Sequence, residues 1–263
     1  MCGTADDWNL WSDKFGCTGW NWNAIRREMA SLEFPVHVAA DDAHGPLTSA
    51  TLRAAQMLGA SRCRHIGETA DGAGPVGLSI VDGKRADAFS VFVAPRRTAD
   101  PDRLKVSTGS RVREIAISSG RATGVILDDD TEVSADAVVV CAGTLWSPIL
   151  LRRSGVSRSG LGRNLKDHPS ISLTIGRAGD GAPDGSPRVT GLVIASSHIG
   201  ESDINVLPVE NDHLIAAVTQ VSSVGHVHEV NGQAEVVLNS LESHDDATRM
   251  LAALRLAADM LSD

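Results

Sequence analysis

The chain has 263 residues, 42% of them apolar and 22% charged, enough to bury one large core or two small ones and too apolar for a disordered chain. Its 24 Lys and Arg stand against 33 Asp and Glu, a net charge of −9, and the basic residues form no long run, which argues against a nucleic-acid surface. No stretch approaches about 18 consecutive apolar residues, and Met1–Trp11 has neither a basic nor an apolar leader segment, so neither an integral membrane segment nor an export signal is expected. Cys2, Cys17, Cys63 and Cys141 are scattered without a C-x-x-C pair, which favours a reducing, cytoplasmic setting over a disulfide framework or structural zinc.

Residues 1–33 read as a turn-rich entry and a helix. Trp22, Ile25, Met29 and Leu32 recur at helical spacing, and Asn23 is the expected cap. A second helix is expected over 49–58, with Thr48 as N-cap, Leu52, Ala55 and Leu58 on one face, and Gly59 as the stop. Residues 67–87 are Gly-rich and then polar, and read as loop with at most one short strand. From Leu104 the pattern changes to short alternating runs at 104–107, 112–118, 122–127 and 133–141, with turns at Ser119-Gly120 and Asp128–Asp130. This predicts a meander ending in Ala137–Cys141, a continuous apolar run of the kind buried on both faces of a parallel sheet. Ala142-Gly143-Thr144 and an apolar helix over 145–151 follow, with Pro148 expected in the first turn. Strand, glycine turn and helix together let a backbone approach a phosphate or ring closely. Further strands are expected at 171–175, 189–195, 204–209, 214–221 and 234–238. A closing helix over 245–261 carries an apolar stripe of Met250, Leu251, Leu254, Ala257, Ala258 and Leu261.

Gly72-Ala73-Gly74-Pro75-Val76-Gly77 matches G-x-G-x-x-G, yet it lacks a strand before it and a helix opening within it, so it is not a dinucleotide fingerprint. His226 and His228 share a strand face at a spacing a metal could use, while Glu229 points to the opposite face, so they read as exposed strand residues. The Asp128–Asp130 run reads as a solvated turn. No G-x-S-x-G elbow is present to anchor a hydrolase triad.

The most specific constellation is composite. It comprises Thr108-Gly109-Ser110-Arg111-Val112, then Gly120-Arg121-Ala122-Thr123-Gly124-Val125, then Ala137–Gly143 with Ser147–Leu151 and Ser154-Gly155-Val156, and finally Gly162-Arg163-Asn164-Leu165-Lys166-Asp167-His168-Pro169. In this order the segments resemble the middle of the glucose-methanol-choline (GMC) family of FAD-dependent oxidoreductases. Gly3–Trp11 with Gly19–Trp22, Gly83–Ala86 and the closing helix fit the same family. Ser157, where the family usually has Gly, and the short 158–161 connection depart from it.

The resemblance implies an α/β, mixed α+β fold: part of an FAD-binding Rossmann-like domain with a β-meander, plus an antiparallel-sheet substrate domain. It implies a linking segment at 1–35, the first part of the substrate domain and an extended connection at 36–101, an FAD-binding segment at 102–169 and substrate domain at 170–263. The cofactor implied is FAD, held in part by Val112, whose main chain would read the adenine edge, and by Ala142 and Gly143 at the turn after the apolar run. Asn164, Asp167 and His168 are expected to brace a domain junction rather than catalyse. The partners implied are a small-molecule alcohol and a redox partner as electron acceptor. The family's own G-x-G-x-x-G and its catalytic His segment would lie outside this sequence. The expectation is therefore an internal piece of an enzyme that oxidises the CH–OH group of an alcohol with hydride passing to flavin, inactive alone and without a catalytic residue or metal ligand to name. The alternative is a degenerate binding or scaffold protein that keeps the fold without the chemistry.

Overall fold

The computed structural model describes residues 5–64, 71–176, 186–210 and 212–262. In chain order the helices are α1 (Ala5–Asp13), α2 (Trp22–Ser31), α3 (Pro46–Met57), α4 (Ala94–Ala99), α5 (Gly143–Arg153) and α6 (His244–Ser262). The strands are β1 (His37–Val38), β2 (Gly72–Pro75), β3 (Gly77–Leu78), β4 (Ile80–Val81), β5 (Lys84–Arg85), β6 (Val112–Ser118), β7 (Arg121–Leu127), β8 (Glu132–Ser134), β9 (Arg163–Leu165), β10 (Ser170–Thr174), β11 (Gly191–Ala195), β12 (Ile204–Val209), β13 (His213–Val218), β14 (Gly225–Val230) and β15 (Gln233–Val237). They fall into two compact units, one drawn from residues up to Ala99, His168–Gln220 and Ala247 onward, the other from Asp100–Asp167 and Val221–Asp246.

The first unit is built on a five-stranded sheet of order β10-β13-β12-β11-β2, antiparallel at every pairing. Val193, Val206, Leu214 and Ala216 from its strands meet Leu52 and Ala55 of α3 and Ala253, Ala257 and Met260 of α6 in one core. Helix α3 starts earlier than Thr48: Pro46 takes its first turn, where a missing N–H costs nothing. The Thr48 amide is instead capped from a distance by the buried Glu210 carboxylate at 2.8 Å. Asn21, not Asn23, caps α2, its side chain accepting from the Ala24 amide at 3.0 Å. The apolar face of α6 is turned from the expected stripe, burying Met250, Ala253, Ala257 and Met260 and leaving Leu251 and Leu261 exposed. Arg249 is buried with them, its guanidinium reaching the buried Asp203 carboxylate at 2.9 Å.

Between positions 72 and 85 the expected loop is four short strands, although residues 67–70 lie outside the described residues, as do Cys2 and Gly3. Gly72–Pro75 is the buried edge strand β2, paired antiparallel to β11. The G-x-G-x-x-G match is therefore extended chain, with no helix opening inside it.

The second unit contains two three-stranded sheets, β6-β7-β8 and β15-β14-β9, with α5. The meander forms as expected, turning at Ser119-Gly120 and at Asp128–Asp130, where Asp129 accepts the Thr131 amide at 3.0 Å. That hydrogen bond holds the Asp129 carboxyl below the ordinary carboxylate range. Three expectations fail here. Leu104–Ser107 is not a strand, β8 stops at Ser134, and Ala137–Cys141 pairs with no described strand. The apolar run needs neighbours on its edges to satisfy its peptide groups and on its faces to bury its side chains. No described strand pairs with it, and while Val138 and Val140 are half-buried, Val139 is 82% exposed. Pro148 sits inside α5 rather than in its first turn, because the helix begins at Gly143.

Candidate cofactor site

Val112, Ala142 and Gly143 all belong to the second unit. Val112 opens β6, an edge strand whose only sheet neighbour among the described residues is β7. The Arg111 carbonyl accepts the Asp128 amide at 3.0 Å, and the Leu127 amide goes to the Thr131 carbonyl at 2.9 Å. In an antiparallel ladder, hydrogen-bonded and non-hydrogen-bonded pairs alternate. The Val112–Leu127 pair is thus the non-bonded one, and Val112 directs its N–H and C=O to the open edge of the sheet. A β-bulge follows between Val112 and Glu114. Further along the same edge, the Ile115 amide is taken by the Ser154 hydroxyl at 2.8 Å.

Gly143 is the first residue of α5, with φ +79° and no atom within 4 Å of where a Cβ would stand. Ala142, the preceding cap residue, makes no side-chain hydrogen bond to the helix, and Ala142, Gly143 and Thr144 are all exposed. The first-turn amides of a helix have no intrahelical acceptors, so this end offers donors and a positive partial charge beside a glycine that leaves room for close approach. An edge strand with outward peptide groups and an uncapped glycine-led helix start are chemistry that suits a nucleotide cofactor: purine-edge pairing at the first, oxyanion contact at the second. The residues present fit the group that the sequence implied.

On α5 and β14, Arg153 donates through Nε to Glu229 Oε2 at 2.8 Å and through Nη2 to Oε1. This bidentate pair raises the Arg153 pKa and holds the Glu229 carboxyl below its ordinary range. The Arg111 and Arg153 guanidiniums also lie over the Trp146 ring, 5.1 and 5.9 Å from its centre. Nothing in the sequence marks this cluster, because its members are far apart in the chain, Arg153 and Glu229 alone by 76 positions. His226 and His228 stack on one face of β14 at 5.4 Å, and no group of metal-ligating side chains occurs among the described residues.

Comparison with known proteins gives this architecture its class. The fold matches the crystal structure of pyridoxine 4-oxidase from Mesorbium loti with a TM-score of 0.85 over 100% of this chain and 63% of that one, at 22% identity. It matches an FAD-dependent oxidoreductase from Chaetomium thermophilum with a TM-score of 0.80, at 13% identity over 98% of this chain and 66% of that one. In sequence it is similar to pyridoxine 4-oxidase of Microbacterium luteolum, 24% identical over 99% of this chain and 62% of the relative. It is also similar to the oxygen-dependent choline dehydrogenase of Paraburkholderia phymatum, 27% identical over 64% of this chain and 36% of the relative. Residues 1–170 match the family profile of GMC oxidoreductases. The chain belongs to the GMC oxidoreductase family, and it spans about three-fifths of the length of the pyridoxine oxidases it matches. No helix among the described residues is long and apolar enough to cross a membrane.

Proposed function

We propose that this chain is part of an FAD-dependent enzyme that oxidises the CH–OH group of a small alcohol, and that it supplies a portion of the site for the adenosine end of the cofactor. The family match over residues 1–170 carries the reading, and the outward peptide groups of Val112 and the open Gly143 turn support it. Val112 would hold the adenine edge through main-chain N–H and C=O. The first-turn amides at Ala142–Thr144 would face an oxyanion of the cofactor. FAD, when bound, supplies the hydride acceptor for the carbinol carbon. The second unit then serves the cofactor, and the five-stranded sheet of the first unit serves the substrate domain. A separate electron acceptor returns the flavin to its oxidised state.

Two measurements test this. FAD-loaded protein, expressed from its whole reading frame and mixed anaerobically with a panel of primary alcohols that includes pyridoxine and choline, should lose its flavin absorbance with at least one of them. No bleaching by any alcohol overturns the activity. For the site, Gly143→Val should weaken FAD binding about five- to hundredfold. A branched residue strains at φ +79° and fills the space the cofactor needs. Val112→Ala keeps both peptide groups and should cost much less. Equal loss in both variants, with circular dichroism showing both folded, overturns the assignment of these positions.

A further inference from the structure

The first unit holds a cleft distinct from the cofactor residues, with charged and polar side chains on its walls. Helix α3 presents Ser49, Arg53 and Gln56 along one face, at the three- and four-residue spacing that aligns side chains on a helix. Asp41, His44, Arg62 and Ala73–Pro75 line the same open cleft of about 200 Å³. The N-terminus of α3 is not what this cleft offers, because Glu210 already takes the Thr48 amide. What it offers is side chains.

Three observations set its chemistry. The His44 side chain is only 5% exposed; Nδ1 lies 3.0 Å from the Thr190 hydroxyl, while Nε2 has no hydrogen-bond partner among the described residues and stands 3.9 Å from Asp41 Oδ1. A buried ring nitrogen without a partner is costly unless something completes it. Arg62 pairs with Asp41 at 2.7 Å, but both side chains are about two-thirds exposed, so water screens the pair and little holds Arg62 to it. Arg53 makes no ion pair among the described residues. Two guanidiniums, an amide, a hydroxyl and an imidazole thus face one carboxylate, leaving one positive charge uncompensated and donors in excess.

We infer that the cleft between α3 and β2 is a binding site for a small oxyanion, a phosphate or a carboxylate, held by Arg53 and Arg62 with His44 Nε2 as the inner contact. Arg62 exchanges its exposed partner Asp41 for the ligand, and the displaced Asp41 side chain opens the path to the imidazole. Planar guanidiniums match the paired oxygens of either anion in a bidentate fashion. The space accommodates a single phosphate or a short carboxylate.

The test is titration of the chain with inorganic phosphate and, separately, with acetate at constant ionic strength, followed by the imidazole resonances that His44→Gln removes from the NMR spectrum. Saturable shifts of those resonances are expected. Arg53→Gln and Arg62→Gln, both surface changes, should each weaken binding about tenfold or more, and Arg103→Gln, in the other unit, should not. A response to phosphate alone names a phosphate site, and an equal response to acetate names a general carboxylate site. No saturable shift of the His44 resonances with either anion overturns the inference. So does binding that survives both arginine substitutions. Because the readout requires neither FAD nor turnover, its failure is separable from failure of the alcohol-oxidation reading.

Discussion

The two units solve burial differently. In the first, Val206, Leu214, Ala216 and Val218 are completely inaccessible and Val193 nearly so, and two helices cover them. Charged groups are sewn into the same interior: Asp203 is 0% exposed and carries Arg249, and Glu210 is 1% exposed beneath α3. In the second unit Ile115, Ile149, Leu165 and Val227 are buried, while the most apolar run of that unit, Ala137–Cys141, is mostly in contact with solvent. A covered sheet can hold an ion pair because packing excludes water around it. An uncovered one keeps peptide edges and apolar side chains available, which is what a cofactor or a covering layer requires.

The sharpest way to break this contrast is at the buried pair. Asp203 also accepts the Ser197 amide at 2.7 Å and its hydroxyl at 2.6 Å, so Arg249→Met leaves a carboxylate with partial compensation in an apolar interior. Removing one member of such a pair costs about 3 to 5 kcal/mol, and urea unfolding of the first unit should show it. A loss below about 1 kcal/mol would mean that water reaches the pair. The next effect belongs to Glu210. Glu210→Ala removes the cap from the Thr48 amide and opens a void under Gly45, whose Cβ position lies within 2.6 Å of that carboxylate. The expected cost is about 1 to 3 kcal/mol, read as faster amide exchange in the first turn of α3 than in α6.

How much of this was legible in the sequence follows the same division. Alternation located β12 at its observed bounds and β10, β11, β13 and β15 to within a few residues, since one face of each reports a nearby core. The meander was legible from its turn residues. The Asp203–Arg249 and Glu210–Thr48 contacts were not, because long-range polar pairing leaves no periodic trace. The error at Ala137–Cys141 has another cause. Hydrophobicity records what a segment is fit to touch, and the described residues do not supply the strands that such a run would join. Ala142 and Gly143 follow from the family resemblance alone, and the φ of +79° at Gly143 is a backbone feature that residue periodicity does not report.

In the second unit, the Arg153–Glu229 pair gives a smaller, pH-dependent effect. Its side chains are 23% and 27% exposed, and the hydrogen bonds from Arg153 depress the Glu229 carboxyl. A depressed carboxyl contributes stability that is fully present above the unfolded glutamate pKa and is lost as pH falls through the folded value. Melting of the second unit should therefore decline on acidification below the ordinary glutamate range, and Glu229→Gln should flatten that decline. An unchanged pH profile in the variant would show that other carboxylates carry it.

The smallest effect on stability is expected at Val139, where the contrast between the units is most exposed. A side chain 82% accessible contributes little packing, so Val139→Ser should shift the unfolding free energy by no more than about 0.5 kcal/mol. Its surface consequence is larger than its energetic one. Val138, Val139 and Val140 are consecutive β-branched residues without a sheet partner among the described residues, a segment suited to pairing with another strand and to binding a hydrophobic dye. Val139→Ser should lower dye fluorescence and slow aggregation while the melting midpoint stays in place. The exposed Leu251→Ser on α6 of the first unit serves as the control, since a lone apolar side chain on a helix gives no strand edge. Equal relief of aggregation by both variants would show that total apolar surface governs association; relief confined to Val139 would identify the unpaired strand of the second unit as its origin.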